Sequence, residues 1–208
     1  MYFLEVLHIP SKNVWKSAGA ISLYSYRRKP FIQYSTLGRN LNRYKYHFDE
    51  LTLEKKQEIE YFCYEEIRKC LQKRFVGRPP FNLLVPVPPN SDNRISLPNR
   101  ISEIFIKNYP DLLIDCSPFL HKTRKLESIK KIPGASIEDR KMHSMNAYKL
   151  DEIPVNNIRG FLVIDDVYQT GTTVREIAKL LNRHYPEVPR YLITLTALKE
   201  NGFKEVSC

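Results

Sequence analysis

The sequence predicts an α/β domain built on a mainly parallel sheet. An apolar run from Asn82 to Val87 follows a long helical pattern and ends in prolines, which is typical of a buried parallel strand. Near the end of the chain, Phe161–Leu162–Val163–Ile164 forms a second apolar run. A turn, a helical pattern and a third apolar run from Tyr191 to Leu198 follow it. Strands that alternate with helices in this order form a parallel sheet flanked by helices.

Length and charge narrow the class of protein. The chain has 208 residues, and its 33 basic and 23 acidic side chains give a formal net charge of +10. A chain of this length buries roughly 70% of the surface that it exposes when unfolded, so its core needs no disulfides or metals. The positive charge indicates an anionic partner and does not by itself decide between phosphate groups, nucleic acid and a membrane surface.

Several features point to a cytoplasmic protein without a membrane partner. No apolar run approaches the ~20 residues that span a bilayer, and residues 1–10 lack the basic and long apolar parts of a secretory signal. The four cysteines are not spaced as a zinc ribbon or a redox motif. We therefore expect reduced thiols and a cytoplasmic location. The cysteines are Cys63, Cys70, Cys116 and Cys208.

The first 48 residues differ in character from the rest. Short runs rich in β-branched and aromatic residues, Ala20–Tyr26 and Phe31–Thr36, predict strands. Basic residues and tyrosines alternate here, and no acidic residue follows Glu5 within this region. We predict a basic aromatic lobe over 1–48, forming a small β-rich hood, and an α/β domain over 49–208.

The middle of the chain continues the alternation of helices and strands. Leu53 to Phe75 carries an apolar stripe at helical spacing, and glycine and prolines stop it. After the strand at Asn82–Val87, the pattern predicts a shorter helix over Asn99–Asn108 and a strand over Leu112–Cys116. A basic, turn-rich stretch from His121 to Lys141 comes next.

The segment after the apolar run at Phe161–Ile164 has the composition of a binding site. Asp165 and Asp166 follow directly, and a turn with Gly171 among three threonines then opens a helix. In open α/β sheets, ligands bind at the carboxyl ends of the strands. The free amides and dipole of the helix start favour a phosphate, the dipole by about 0.3–1 kcal/mol.

The two acids indicate what else the ligand carries. Carboxylates repel phosphate, and an ionised carboxylate only accepts hydrogen bonds, so sugar hydroxyls are the natural partners of Asp165 and Asp166. Thr170 and Thr173 are the expected hydroxyl donors to the phosphate. The segment lacks the glycines and lysine of a Walker loop and the three glycines of a dinucleotide fingerprint. A ribose 5-phosphate fits the pattern.

Phe161–Thr173 resembles the phosphoribosyl pyrophosphate motif of type I phosphoribosyltransferases: four hydrophobic residues, two acids and a threonine–glycine loop. The residue sequence of this loop is most similar to that of the ComF-like branch, the competence proteins. Leu84–Pro88 resembles the proline strand of that branch, and Tyr44–Lys45–Tyr46 resembles its lysine–tyrosine segment. Arg140 with Ala147–Tyr148 resembles a further segment, and the likeness spans about residues 41–198.

The resemblance implies a type I phosphoribosyltransferase-like fold and a role for each matching residue. Asp165 and Asp166 would be catalytic, and Mg²⁺ would be held by the substrate and not directly by the protein. The implied phosphoribose-binding residues are Val167, Tyr168, Gln169, Thr170, Gly171, Thr172 and Thr173. The pyrophosphate loop would contain Val87, Pro88, Pro89 and Arg94. A flexible lid would carry Lys122, Arg124, Lys130, Lys131 and Arg140.

The sequence also departs from this family. It lacks the amino-terminal cysteine ribbon and the arginine-rich stretch after the proline strand. Gln169 stands where relatives that act on 6-oxopurines have an aspartate, and an amide is not a proton acceptor, so hypoxanthine and guanine are not expected substrates.

Two functions follow as hypotheses. The first is a phosphoribosyltransferase that moves ribose 5-phosphate from phosphoribosyl pyrophosphate to an unknown nitrogenous acceptor. The second is a non-catalytic module that senses phosphoribosyl pyrophosphate or a nucleoside monophosphate. In this second case, the basic lobe holds single-stranded nucleic acid through charge and stacking, and the protein assists DNA uptake or processing. The sequence leaves both the acceptor and an oligomeric state open.

Overall fold

The computed structural model describes residues 7–8, 14–28, 31–89, 96–123 and 147–198. A six-stranded sheet forms its centre. In their order across the sheet, the strands are β1 (Leu7–His8), β2 (Ser17–Leu23), β10 (Arg190–Ala197), β9 (Phe161–Tyr168), β5 (Leu83–Pro86) and β6 (Ile114–Asp115). Five strands are parallel and β1 is antiparallel to β2. The predicted α/β class with a parallel sheet flanked by helices is confirmed.

Two antiparallel ribbons accompany the sheet. β3 (Ser25–Arg28) pairs with β4 (Phe31–Tyr34), so two strands of the predicted lobe are present. β7 (Leu120–Lys122) pairs with β8 (Tyr148–Leu150).

The described residues form four α-helices. Side-chain oxygens cap the first three: Ser35 accepts the amide of Gly38, Thr52 that of Lys55, and Ser96 that of Asn99. No helix among the described residues is long and apolar enough to cross a membrane. The helices are α1 (Thr36–Tyr46), α2 (Leu53–Arg74), α3 (Leu97–Asn108) and α4 (Thr172–His184), and a single 3₁₀ turn covers Phe48–Glu50.

The helices cover both faces of the sheet. Because side chains alternate along a strand, Leu162 and Ile164 of β9 pack into a core with α1, α2 and α3. Phe161 and Val163 pack into the other core, with α4 and the β7–β8 ribbon. The sheet is therefore buried on both sides, which explains the apolar runs that predict its strands.

The amino-terminal region is more closely joined to the sheet than the sequence predicts. β2 lies beside β10 in parallel register, with Ser17 opposite Tyr191 and Leu23 opposite Ala197. Residues 17–23 thus form a strand of the main sheet, and Ala18, Ala20 and Ile21 are buried there.

Residues 36–46 form a helix where only strands are predicted, so the strand-only interpretation of the first 48 residues is wrong there. Ser35 caps α1, and Leu37, Leu41 and Tyr44 recur at helical spacing on its buried face. Gly38 lets the helix lie close to the backbone at Tyr24, because a Cβ added at position 38 would lie 1.9 Å from the carbonyl oxygen of Tyr24. Packing of this apolar face decides the local structure.

Candidate ligand-binding site at the carboxyl edge of the sheet

A cavity of about 690 Å³ opens where two neighbouring strands end. β5 leads into α3 on one face of the sheet, and β9 leads into α4 on the opposite face. Connections that diverge in this way leave a crevice at the carboxyl ends of the strands, where open α/β sheets bind ligands. The volume is within the range of small-molecule sites, roughly 300–1,000 Å³.

The turn between β9 and α4 forms one wall. Its residues from Gln169 to Thr173 all line the cavity. Gly171 is the N-cap of α4, in the left-handed conformation with φ of 67°, and no described side chain caps this helix. The amides of the first turn therefore lack the side-chain acceptor that each of the other three α-helices has.

Contacts beneath the turn hold it in place. A Cβ on Gly171 would lie 2.4 Å from the hydroxyl oxygen of Tyr168, whose ring is buried. Arg175 of α4 donates from Nη2 to the carbonyl oxygen of Thr170 at 2.5 Å. The hydroxyls of Thr170 and Thr172 are 2.8 Å apart. Only glycine fits at position 171 without moving the tyrosine.

We expect Gly171→Ala to lower the free energy of unfolding by about 1–2 kcal/mol, because it adds left-handed strain and a contact with Tyr168. Gly77→Ala is the matched control, since Gly77 has a φ of 82° but no atom within 4 Å of an added Cβ. Urea unfolding measures both variants. A loss for Gly171→Ala no greater than that for Gly77→Ala would contradict a tyrosine-supported turn.

Asp165 and Asp166 lie within β9, and not beyond its end as the sequence predicts. Pairing with β10 continues to Tyr168, whereas pairing with β5 stops at Ile164. Both acids line the cavity. Because side chains alternate, Asp165 belongs to the α4 face and Asp166 to the α1 face. The amide of Asp166 donates to Oδ1 of Asp165 at 2.8 Å.

The electrostatics of the acid pair are unusual. Burial, followed by the nearby charge of Asp166, raises the pKa of Asp165 from 3.8 to about 7. Lys45 opposes this effect: its Nζ lies 2.6 Å from Oδ2 of Asp166. Burial disfavours the charge on Lys45, but the contact with Asp166 outweighs it and raises the pKa of Lys45.

Lys45 is a cavity residue that the sequence reasoning did not place in the site. It lies near the end of α1, and its side chain is 39% exposed against 16% for Asp166. Four aromatic residues from the same part of the chain also line the cavity: Tyr24, Tyr44, Tyr46 and Phe48. The lysine–tyrosine segment was the sequence signal that could have placed Lys45 in the site. However, it is α1 that brings this segment close to β9, and the sequence analysis did not predict α1.

The predicted pyrophosphate loop forms the wall opposite α1. Val87, Pro88 and Pro89 line the cavity, while Arg94 lies outside the described residues. The amide of Val87 already donates to the carbonyl oxygen of Ile164 at 2.9 Å, and the prolines have no N–H. These three residues shape the cavity without offering a free amide hydrogen.

Two described cations near this loop already have hydrogen-bond or ionic partners. Arg100 of α3 donates to Glu103 at 2.8 Å and lies 3.9 Å from Glu60. Lys122, from the predicted lid, lies in β7, and its Nζ donates to the carbonyl oxygen of Pro89 at 3.0 Å. The other predicted lid residues lie outside the described part of the chain. They are Arg124, Lys130, Lys131 and Arg140.

The remaining predicted residues surround the same space. Val167 and Tyr168 line the cavity. Thr173 also lines it, and its hydroxyl contacts the hydroxyl of Tyr148 on β8. In the described chain no group of three histidine, cysteine or acidic side chains is arranged to hold a metal ion. A comparison of the chain with protein-family models and with curated proteins finds no match.

Proposed function

We propose that this protein is a type I phosphoribosyltransferase of the ComF-like kind. It transfers ribose 5-phosphate from phosphoribosyl pyrophosphate to a nitrogenous acceptor. The observation that carries the proposal is the joint placement of the acids of β9 and the start of α4, which no described side chain caps, around one cavity. The parallel five-stranded sheet is compatible with the fold of such enzymes.

The start of α4 is the proposed 5-phosphate site. Its first-turn amides and the partial positive charge of the helix favour an anion. Each hydrogen bond to a charged phosphate contributes roughly 1.5–3 kcal/mol. Thr170 and Thr173 add hydroxyl groups at the same turn.

Asp165 and Asp166 are the proposed partners of the ribose hydroxyls. They lie a few residues before the turn on β9, so one ligand can reach both the turn and the carboxylates. In the reaction, a nitrogen lone pair of the acceptor attacks the anomeric carbon while the bond from that carbon to the diphosphate oxygen breaks. Positive charge grows on the ribose ring, and a negative carboxylate stabilises it; Asp165 contributes in this way above its pKa of about 7. The acceptor then loses its proton.

Magnesium enters as part of the substrate. Diphosphate and ribose oxygens are the ligands that this ion prefers, and it retains water in most sites. The described lining residues contain a single cation, Lys45, and its contact with Asp166 keeps a positive charge beside the ribose position. We propose that Lys45 turns toward the departing diphosphate when ribose hydroxyls occupy Asp166.

Release of diphosphate tests the proposed reaction. With phosphoribosyl pyrophosphate and magnesium present, one member of a panel of pyrimidine, pyridine and amine acceptors is expected to increase diphosphate release. Hypoxanthine and guanine are the negative controls, because Gln169 is not a proton acceptor. Binding of phosphoribosyl pyrophosphate without diphosphate release for any acceptor would contradict an enzyme.

A second candidate is the nucleotide-sensing module that binds single-stranded nucleic acid. The observation that favours it is the exposed side of α1, where Arg39, Arg43 and Tyr46 are exposed in a helix without acidic residues. Tyrosine can stack on a base while arginines contact phosphates.

A salt titration tests this second candidate. If two arginines contact phosphates, Arg39→Ala/Arg43→Ala lowers the slope of log affinity against log salt concentration by about 1.4 for a single-stranded oligonucleotide. Arg183→Ala, at an exposed arginine of α4, is the control. An unchanged slope in the double variant would exclude α1 as the nucleic-acid contact.

A further inference from the structure

A second cavity, of about 290 Å³, lies at the amino-terminal edge of the sheet, away from the site just described. Its floor is formed by Leu84 and Leu162, the second residues of β5 and β9, which are buried. The acids on β9 lie three and four residues further along the same strand. The two cavities therefore lie toward opposite ends of the strands.

Aromatic side chains border this cavity from two directions. On one side, the ring centroids of Phe75, at the end of α2, and Phe81, before β5, lie 5.8 Å apart. On the other side, at the end of α3, the rings of Phe105 and Tyr109 are stacked with their centroids 6.4 Å apart. Flat aromatic groups pack well beside such rings. The volume is about twice that of a ~150 Å³ cavity that holds benzene, so it has room for two fused rings.

The mouth of the cavity carries a positive charge that no acid among the described residues matches. Arg78 lines the mouth, is exposed and pairs with no carboxylate among the described residues. Arg159 does not line the cavity, but it donates to the carbonyl oxygens of two lining residues, Pro79 and Phe81, at 2.9 and 3.2 Å. Burial, followed by the charge of Arg78, lowers the pKa of Arg159.

The other arginine that lines the cavity is already neutralised. Arg68 makes two hydrogen bonds to the carboxylate of Glu65, at 2.8 and 2.9 Å, and a third to Gln72. Among the described residues, Arg78 is therefore the lining arginine without a carboxylate partner, and it stands beside apolar walls. A ligand that matches both features is apolar, flat and negatively charged at one end.

We propose that this cavity binds an aromatic carboxylate, with its rings between the two aromatic pairs and its carboxylate at Arg78. The proposal does not depend on the function of the first cavity. It concerns a ligand whose charged group stays at the surface while its rings are buried, so charge and shape contribute separately to binding.

Calorimetry with 2-naphthoate and its neutral analogue 2-naphthamide separates the two contributions. Wild type is expected to bind the acid at least about fivefold more tightly than the amide. Arg78→Met removes this preference and leaves the affinity for the amide unchanged. Arg183→Met, on α4, is the matched control and retains the preference. Equal affinities of wild type for the two compounds, or no saturable binding below about 1 mM, overturn the proposal.

A blocking variant locates the binding. Leu112 lines the cavity and is 40% exposed, so Leu112→Trp is designed to fill the space from the rim without disturbing the buried floor. Its unfolding curve is measured alongside to show that it folds. Loss of binding of both compounds supports the cavity, whereas unchanged binding in a folded Leu112→Trp protein places the ligand elsewhere and overturns the proposal.

Discussion

Asp165→Asn is expected to stabilise the folded protein at pH 8 by about 2–4 kcal/mol, although it removes a proposed catalytic group. Burial and the neighbouring Asp166 disfavour the charged form of Asp165, which raises its pKa from 3.8 to about 7. The lower end of the range allows for the partial opening of this side chain to the solvent-filled cavity. Asparagine keeps the Oδ1 that accepts the amide of Asp166.

The sign of the pH dependence follows from proton binding. Between about pH 4 and pH 7, the folded protein retains a proton on Asp165 that the unfolded chain has released. The free energy of unfolding contributed by this group therefore falls as pH rises through that window, and is constant above and below it. In Asp165→Asn this fall is absent, so the two proteins are about equally stable near pH 4 and diverge toward pH 8.

Urea unfolding of both proteins at several pH values measures the divergence. Asp111→Asn serves as the control, because Asp111 is an exposed acid in the turn after α3 and is not a cavity residue. A difference between Asp165→Asn and wild type that does not change with pH would contradict the account of a protonated, buried acid. So would a variant that is less stable than wild type at pH 8.

Local patterns predicted the central parts of the molecule well. The apolar runs that became β5 and β9 are buried on both sides, so their composition reports directly on their environment. The long stripe that became α2 ends within one residue of its predicted end. The turn around Gly171 could also be predicted, because a glycine with threonines between a strand and a helix is itself a local signal. In the structure, this turn lines the cavity.

Other features depend on contacts between distant parts of the chain. No local signal shows that β2 pairs with β10, or that β9 continues through two aspartates, residues that are usually rare in strands. The tyrosine content of the first 48 residues indicated strands. The sequence also contained signals for α1, namely the helical spacing of Leu37, Leu41 and Tyr44 and a capping residue at Ser35. Lys45 could not be placed beside Asp166 without that helix.

Asp165→Asn/Asp166→Asn is expected to weaken the binding of magnesium phosphoribosyl pyrophosphate at least tenfold. At pH 8, above the pKa of Asp165, the ionised carboxylate offers two acceptor oxygens to the ribose hydroxyls, whereas an amide offers one acceptor and places two donors beside them. Tenfold corresponds to about 1.4 kcal/mol. The change at Asp165 is itself expected to stabilise the folded protein, so the double variant is expected to fold. Unfolding measurements on it then show whether weaker binding comes from the missing carboxylates or from a loss of folded structure.

Calorimetric titration with phosphoribosyl pyrophosphate and magnesium is the most direct test of the proposed ribose 5-phosphate site. We expect wild type and Asp111→Asn to bind with equal affinity, and the folded double variant to bind at least tenfold more weakly. Equal affinity of all three proteins, or no binding by wild type, would contradict the assignment of the β9 acids and the start of α4 to a phosphoribosyl ligand.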